Sequence, residues 1–153
     1  MVPISLWLNA LVGGPLLAAI TLYAAQWRAL AGRFGLLLMT VPFIALAANM
    51  VAYIVQGRLL NGVANSVVAA ADLVPHYRTM LLAFALMCFA GCVLAALTMH
   101  AVSRETVAHG GGELAFSKRV LVRLLVACLL VFAGIFVMRF AFYMMHLTVG
   151  LAV

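Results

Sequence analysis

Four long apolar stretches constrain the fold of this chain more than any other feature of its sequence. They occupy residues 4–26, 34–56, 80–100 and 120–145, and each is long enough to cross a bilayer, which takes roughly 20 helical residues. Hydrophobic residues make up 69% of the chain and charged residues 8%, against roughly 25% charged residues in a soluble domain. The sequence therefore predicts an all-α integral membrane protein, with a single domain over residues 1–153 that forms an up-down bundle of four transmembrane helices.

The basic residues predict the orientation of this bundle. Six of them flank the connections after the first and third helices: Arg28, Arg33, Arg104, Lys118, Arg119 and Arg123. Only three fall toward the other side: Arg58, Arg78 and Arg139. By the positive-inside rule, the chain is expected to be a multi-pass protein of the bacterial inner membrane with both termini periplasmic. The net charge of +6 follows the ends of the helices and is not gathered on a soluble face, so a nucleic-acid partner is not expected.

The longest connection, between the second and third helices, has a pattern of its own. Apolar residues recur there at helical spacing, while a few polar residues share another stripe: Asn61, Asn65 and Asp72. This pattern predicts an amphipathic segment near residues 58–74 that lies on the outer face of the membrane.

A few polar and small residues inside the apolar stretches indicate how the helices pack. Asn9 and Asn49 fall within the first two helices, and they are expected either to bridge two helices or to line a ligand site. Gly91 and Ala95 form a small-xxx-small pair in the third helix, which indicates close packing. The three cysteines lie in apolar helices and are predicted to be small core residues.

The acidic residues weigh against a proton-coupled transporter. Asp72, Glu105 and Glu113 are all predicted to lie in connections, so no carboxylate is expected at membrane depth, where such a transporter usually needs one. A small transporter without proton coupling, or a passive membrane bundle with no redox role, remains the alternative to a redox function.

The histidines argue against a haem held within the bilayer. A four-helix bundle can hold haem between two histidines. Here His100 and His109 fall toward the cytoplasmic side, whereas His76 and His146 fall toward the outer side, and His76 is in a connection. No haem and no metal site are therefore expected.

The stretch "RFAFYMMHLTVG" (139–150) places Arg139, Tyr143 and His146 on one helical stripe near the end of the chain. Arg139 lies about 30 Å along the axis from Lys118, which puts it near the outer boundary of the membrane. These residues either anchor a helix end in the interface or form a polar rim that faces a partner subunit or a quinone head group. In the second case His146 would exchange protons near neutral pH.

Three stretches carry a resemblance to a known family: "NALVGGPLLAAITLYAA" (9–25), "VQGRLLNGVANSVVAAADLVPHY" (55–77) and "FYMMHLTVGLAV" (142–153). In order and spacing they resemble the membrane-anchor subunit of dimethyl-sulfoxide-reductase-type molybdoenzymes. Members of that family look like eight-helix proteins, and this chain resembles their C-terminal half. The resemblance therefore implies a truncated or split anchor.

The resemblance implies a non-catalytic subunit of an anaerobic oxidoreductase complex. Such an anchor holds a molybdopterin catalytic subunit and an iron–sulfur subunit at the membrane, oxidises menaquinol and passes the electrons to the iron–sulfur subunit without haem of its own. The family's quinol-oxidising residues belong largely to the N-terminal half, so no position of this chain receives them. Arg139, Tyr143 and His146 are instead the candidate quinone-binding residues, on the strength of their own spacing, and no catalytic residue is expected.

Overall fold

The chain folds into long helices that cross a membrane. The structure, a computed structural model, describes residues 2–27, 30, 32–59, 76–108 and 117–149. It forms the following helices: α1 (Val2–Ala24), α2 (Arg33–Leu59), α3 (Tyr77–Ala108) and α4 (Lys118–Val149). All 4 are long and apolar enough to span a bilayer, which confirms the predicted all-α class and the four transmembrane helices.

The helices do not end where the apolar stretches end. The third helix was expected over residues 80–100 but continues to Ala108, and the second continues to Leu59. Hydropathy marks only the part of a helix that suits hydrocarbon, whereas the hydrogen-bonded backbone can continue into the interface. The segment predicted to be amphipathic, 58–74, begins in the last turn of α2, and its residues 60–74 lie outside the described residues.

A compact turn ends α1 two residues before the predicted end at residue 26. The Gln26 N–H donates to the Tyr23 carbonyl at 3.0 Å, and the Trp27 N–H donates to the Leu22 carbonyl at 3.0 Å. Gln26 has a φ of 53°, so the helix ends in a Schellman-type turn with a left-handed residue. Trp27 then packs edge-on against Phe34 of α2 with 5.3 Å between ring centroids, and this contact closes the connection between α1 and α2.

The helices form a ring in which consecutive neighbours are antiparallel. Each helix packs against the next one along the chain, and α1 closes the ring against α4. At one end of the bundle the Ser117 N–H, just before α4, donates to the Tyr23 hydroxyl near the end of α1 at 2.9 Å. The C-terminal end of α1 therefore lies beside the N-terminal end of α4, as an up-down bundle requires.

Glycines let α3 and α4, the pair with the most extensive contact, approach closely. A Cβ at Gly91 would lie 2.6 Å from the Ala127 carbonyl oxygen and 2.7 Å from Val131 Cγ2. A Cβ at Gly134 would lie 2.8 Å from Cys88 Sγ. Between membrane helices, attraction depends on such close packing, because lipid tails are as apolar as the helix surfaces. The packing role predicted for the Gly91 pair is confirmed.

Large apolar side chains cover much of the outer surface of the bundle as well as its interior. Large apolar side chains point outward on every helix, including Trp7 (71% exposed), Ile44 (70%), Leu86 (69%) and Leu129 (70%). A soluble helix keeps its apolar residues on one stripe, and a helix that is apolar all round belongs in hydrocarbon. The chain is therefore a multi-pass membrane protein.

Candidate functional site

A buried hydrogen-bonded cluster joins α1 to α2 inside the bundle. Asn49 Nδ2 donates to Asn9 Oδ1 at 2.5 Å, and Asn9 Nδ2 donates to the Tyr53 hydroxyl at 3.2 Å. All three side chains are buried, and Asn49 is 0% exposed. The prediction that an asparagine bridges two helices is confirmed.

Tyr77 connects this cluster to α3. Its hydroxyl donates to the Tyr53 carbonyl oxygen at 2.8 Å, and the Tyr53 ring packs edge-on against Phe84 with 5.3 Å between centroids. The Tyr77 ring fits because Gly57 has no side chain, since a Cβ there would lie 2.7 Å from Tyr77 Cε1. The polar cluster thus holds α1, α2 and α3 together at the end where Arg58 and Arg78 lie.

Asn49 has one polar group more than the cluster can pair. Its Oδ1 is buried and has no hydrogen-bond partner among the described residues. Turning both asparagine amides over would exchange donors and acceptors, but one group of the Asn49 amide would still lack a partner. A buried amide group without a partner costs about 1–3 kcal/mol, so this position is polar at the expense of stability.

Arg139 lies at one end of an apolar groove on the outer surface of the bundle. The groove has a volume of about 650 Å³ and is lined by Met87 of α3 and by α4 residues that include Phe132, Phe136 and Arg139. Arg139 is half-buried, and among the residues that the structure describes it has no ion-pair or hydrogen-bond partner. The groove therefore combines a long apolar wall with a single cation.

The other two predicted site residues follow Arg139 along α4. Tyr143 lies one turn further on and is 59% exposed, with its ring edge-on to Phe142 at 5.8 Å. The backbone of His146 continues the same helix, but its side chain lies outside the described residues. The helical stripe of the three residues is present in the backbone, and their quinone-binding role stays a prediction.

The remaining candidate ligands of a metal are dispersed. His76 and His100 are exposed near opposite ends of α3. The buried thiols of Cys88, Cys92 and Cys128 are core residues, as predicted. No group of three histidine, cysteine or acidic side chains that could hold a metal ion occurs in the described part of the chain.

The comparison with known families decides what kind of membrane bundle this is. A family model described as DMSO reductase anchor subunit (DmsC) matches residues 1–145. The chain belongs to this family. The match includes α1, α2 and α3 completely and α4 beyond Arg139, so it confirms the resemblance found in the sequence. Searches of curated proteins and of solved structures gave no match.

Membership of the family assigns this chain the role of a DMSO reductase anchor subunit. An anchor subunit associates with a catalytic molybdoenzyme complex. The fold of this chain fits that role, because helices with an apolar outer surface stay in the membrane.

Proposed function

We propose that this anchor subunit tethers a molybdopterin catalytic subunit and an iron–sulfur subunit to the bacterial inner membrane and supports electron transfer to them from menaquinol. The observation that carries the proposal is the family match over residues 1–145, which extends across the membrane-crossing helices. In this role the chain does not itself reduce the terminal electron acceptor. The catalytic subunit chooses the acceptor, and the anchor supplies attachment and access to the quinol pool.

The proposed topology rests on where the helix ends lie. Arg33, Arg104 and Lys118 are at one end of the antiparallel bundle, whereas Arg58 and Arg78 are at the other. The positive-inside rule assigns the more basic end to the cytoplasm, which leaves both termini in the periplasm. A cysteine introduced beside Arg78 should then react with a membrane-impermeant thiol reagent in intact spheroplasts.

Tethering predicts co-purification. An affinity-tagged chain extracted from native membranes with a mild detergent should recover both the molybdopterin subunit and the iron–sulfur subunit. A similarly tagged, unrelated four-helix membrane protein is the control for carry-over. Recovery of neither subunit would contradict the proposal, and solute flux into liposomes containing only this chain would then favour a small transporter or passive bundle.

The groove at Arg139 is where we propose that menaquinol approaches. An isoprenoid quinol needs an apolar surface for its tail and a polar group for its head, and small-molecule sites combine these two features. The groove offers the aromatic wall of Phe132 and Phe136 and ends at Arg139. Tyr143 and His146 follow on the same stripe, where a histidine can accept a proton released as the quinol is oxidised.

Replacing Arg139 tests this site. Arg139→Gln should lower quinol-dependent reduction of the acceptor roughly tenfold, because it removes one hydrogen bond from a charged donor. His146→Gln should also slow the reaction. The rate is measured with a menaquinol analogue in membranes that contain the whole complex.

Two controls separate quinol access from assembly. Reduction of the same acceptor by an artificial one-electron donor bypasses the quinol and should be unchanged in both variants. Arg78→Gln removes an exposed cation from the same end of the bundle and should leave the quinol-dependent rate unchanged. Unaltered quinol-dependent turnover in both Arg139→Gln and His146→Gln would refute the site while leaving tethering intact.

A further inference from the structure

Cations crowd the start of α4 at the end of the bundle opposite to Arg139. Lys118, Arg119 and Arg123 are exposed, and together with Val122 they line a cleft of about 340 Å³. The spacing puts these side chains on two successive turns of one helix face. The quinol site proposed above does not include any of them.

This arrangement is unfavourable in the absence of an anion. The positive end of a helix dipole lies at the N-terminus, so basic side chains there are repelled by the backbone as well as by each other. The first turn of α4 contains no acidic residue. In the described ranges none of the three cations has an ion-pair partner. An anion in the cleft would remove both repulsions and would also meet the free N–H groups of the first turn.

The surface just below the cleft is apolar and faces lipid. From Val122 a stripe continues along the same face of α4 to Val126 and Leu129, which are 55%, 43% and 70% exposed respectively. Steps of four and three residues keep these side chains in one line, and the stripe extends about 10 Å into the membrane. The groove that ends at Arg139 starts at Leu129, the last residue of this stripe, and continues from there along α4.

We infer that this cleft binds the headgroup of an anionic phospholipid, with an acyl chain along the stripe from Val122 to Leu129. The cleft and the stripe together suit an amphiphilic ligand, because the cations and the apolar stripe are continuous on one helix face at the membrane boundary. An acidic surface of a soluble subunit would pair with the cations but would not cover the stripe. Three cations in one cleft favour a lipid with two phosphates, such as cardiolipin, over one with a single phosphate.

Native mass spectrometry of the detergent-solubilised full chain tests this site. The chain should retain cardiolipin more tightly than phosphatidylglycerol, and should retain zwitterionic phosphatidylethanolamine least. The double variant Arg119→Gln/Arg123→Gln should bind cardiolipin about thirty-fold more weakly, since each cation close to an anionic headgroup contributes roughly a factor of five. The matched control, Arg58→Gln/Arg78→Gln, removes the same charge from the other end and should bind as the unaltered chain does.

Two further measurements distinguish a lipid site from a misfolded variant and from a site for free phosphate. Arg119→Lys/Arg123→Lys keeps the charge and should retain most of the binding, which also shows whether a loss in the glutamine variant reflects misfolding. Water-soluble glycerol phosphate should not displace the lipid. Three outcomes would each overturn the inference. The two glutamine variants could bind cardiolipin equally well, or glycerol phosphate could displace the lipid. The third is that Arg119→Gln/Arg123→Gln loses subunit co-purification while its lipid binding is unchanged. None of these outcomes depends on electron transfer from quinol.

Discussion

Gly91→Leu should lower the free energy of unfolding by about 3 kcal/mol, the upper end of the usual cost of overpacking a core. A Cβ at this position would lie 2.6 Å from the Ala127 carbonyl oxygen, which belongs to the backbone of α4 and cannot turn aside. The helices would have to move apart along their whole contact, and the packing around Cys88 and Gly134 would be lost with it. Unfolding in detergent micelles, followed by circular dichroism, measures the change.

Gly14→Leu is the matched control. Gly14 lies within α1 and is exposed, and a Cβ there would meet nothing within 4 Å. The same substitution should therefore leave the stability unchanged or raise it slightly, because leucine favours a helix more than glycine does. If the two variants unfolded alike, close approach of α3 and α4 would not be what holds the bundle together.

Asn9→Leu should destabilise the bundle by about 2 kcal/mol, because it breaks the link between α1 and α2 and leaves polar groups buried without partners. In the native chain Asn9 accepts from Asn49 Nδ2 and donates to the Tyr53 hydroxyl. After the substitution the Asn49 amide would have no partner among the described residues and would remain fully buried. The measurement is again unfolding in micelles.

The double variant Asn9→Leu/Asn49→Leu gives this prediction its control. Replacing both partners by apolar groups leaves no stranded amide, so the double variant should recover most of the lost stability. The pair should therefore be strongly non-additive in a double-mutant cycle. A double variant that cost as much as the two single variants together would show that the asparagines do not act as a pair.

The sequence predicted the helices well because each helix forms from the apolar run of its own segment. A run such as 34–56 has to be helical in a bilayer, where every backbone N–H and C=O group needs a partner within its own segment. The ends were predicted less well. The extension of α3 to Ala108 passes into residues such as Arg104 and Glu105, which hydropathy excludes from a span but which a helix readily accepts.

The polar cluster was only half foreseen. Asn9 and Asn49 stood out because asparagine is costly in hydrocarbon, but tyrosine is common near membrane boundaries and gave no comparable signal. Tyr53 follows Asn49 by one turn, so its place on the same face could have been found. The bond from Tyr77 to the Tyr53 carbonyl could not, because it depends on how α3 meets α2 and on the space left at Gly57.

By itself the sequence determined that the chain lies in a lipid bilayer, how many apolar runs cross it and that successive membrane-crossing helices alternate in direction. These properties follow from the length of each apolar run and from the charges between runs. Only the tertiary structure decided which neighbours meet, that Asn9 pairs with Asn49, that Arg139 borders a groove and that three cations share a cleft on α4. The physical reason is that apolar residues lie on all sides of these helices, so the hydropathy of the sequence does not show which face packs against the other helices. Which face turns inward is therefore set by close packing and hydrogen bonds between distant residues.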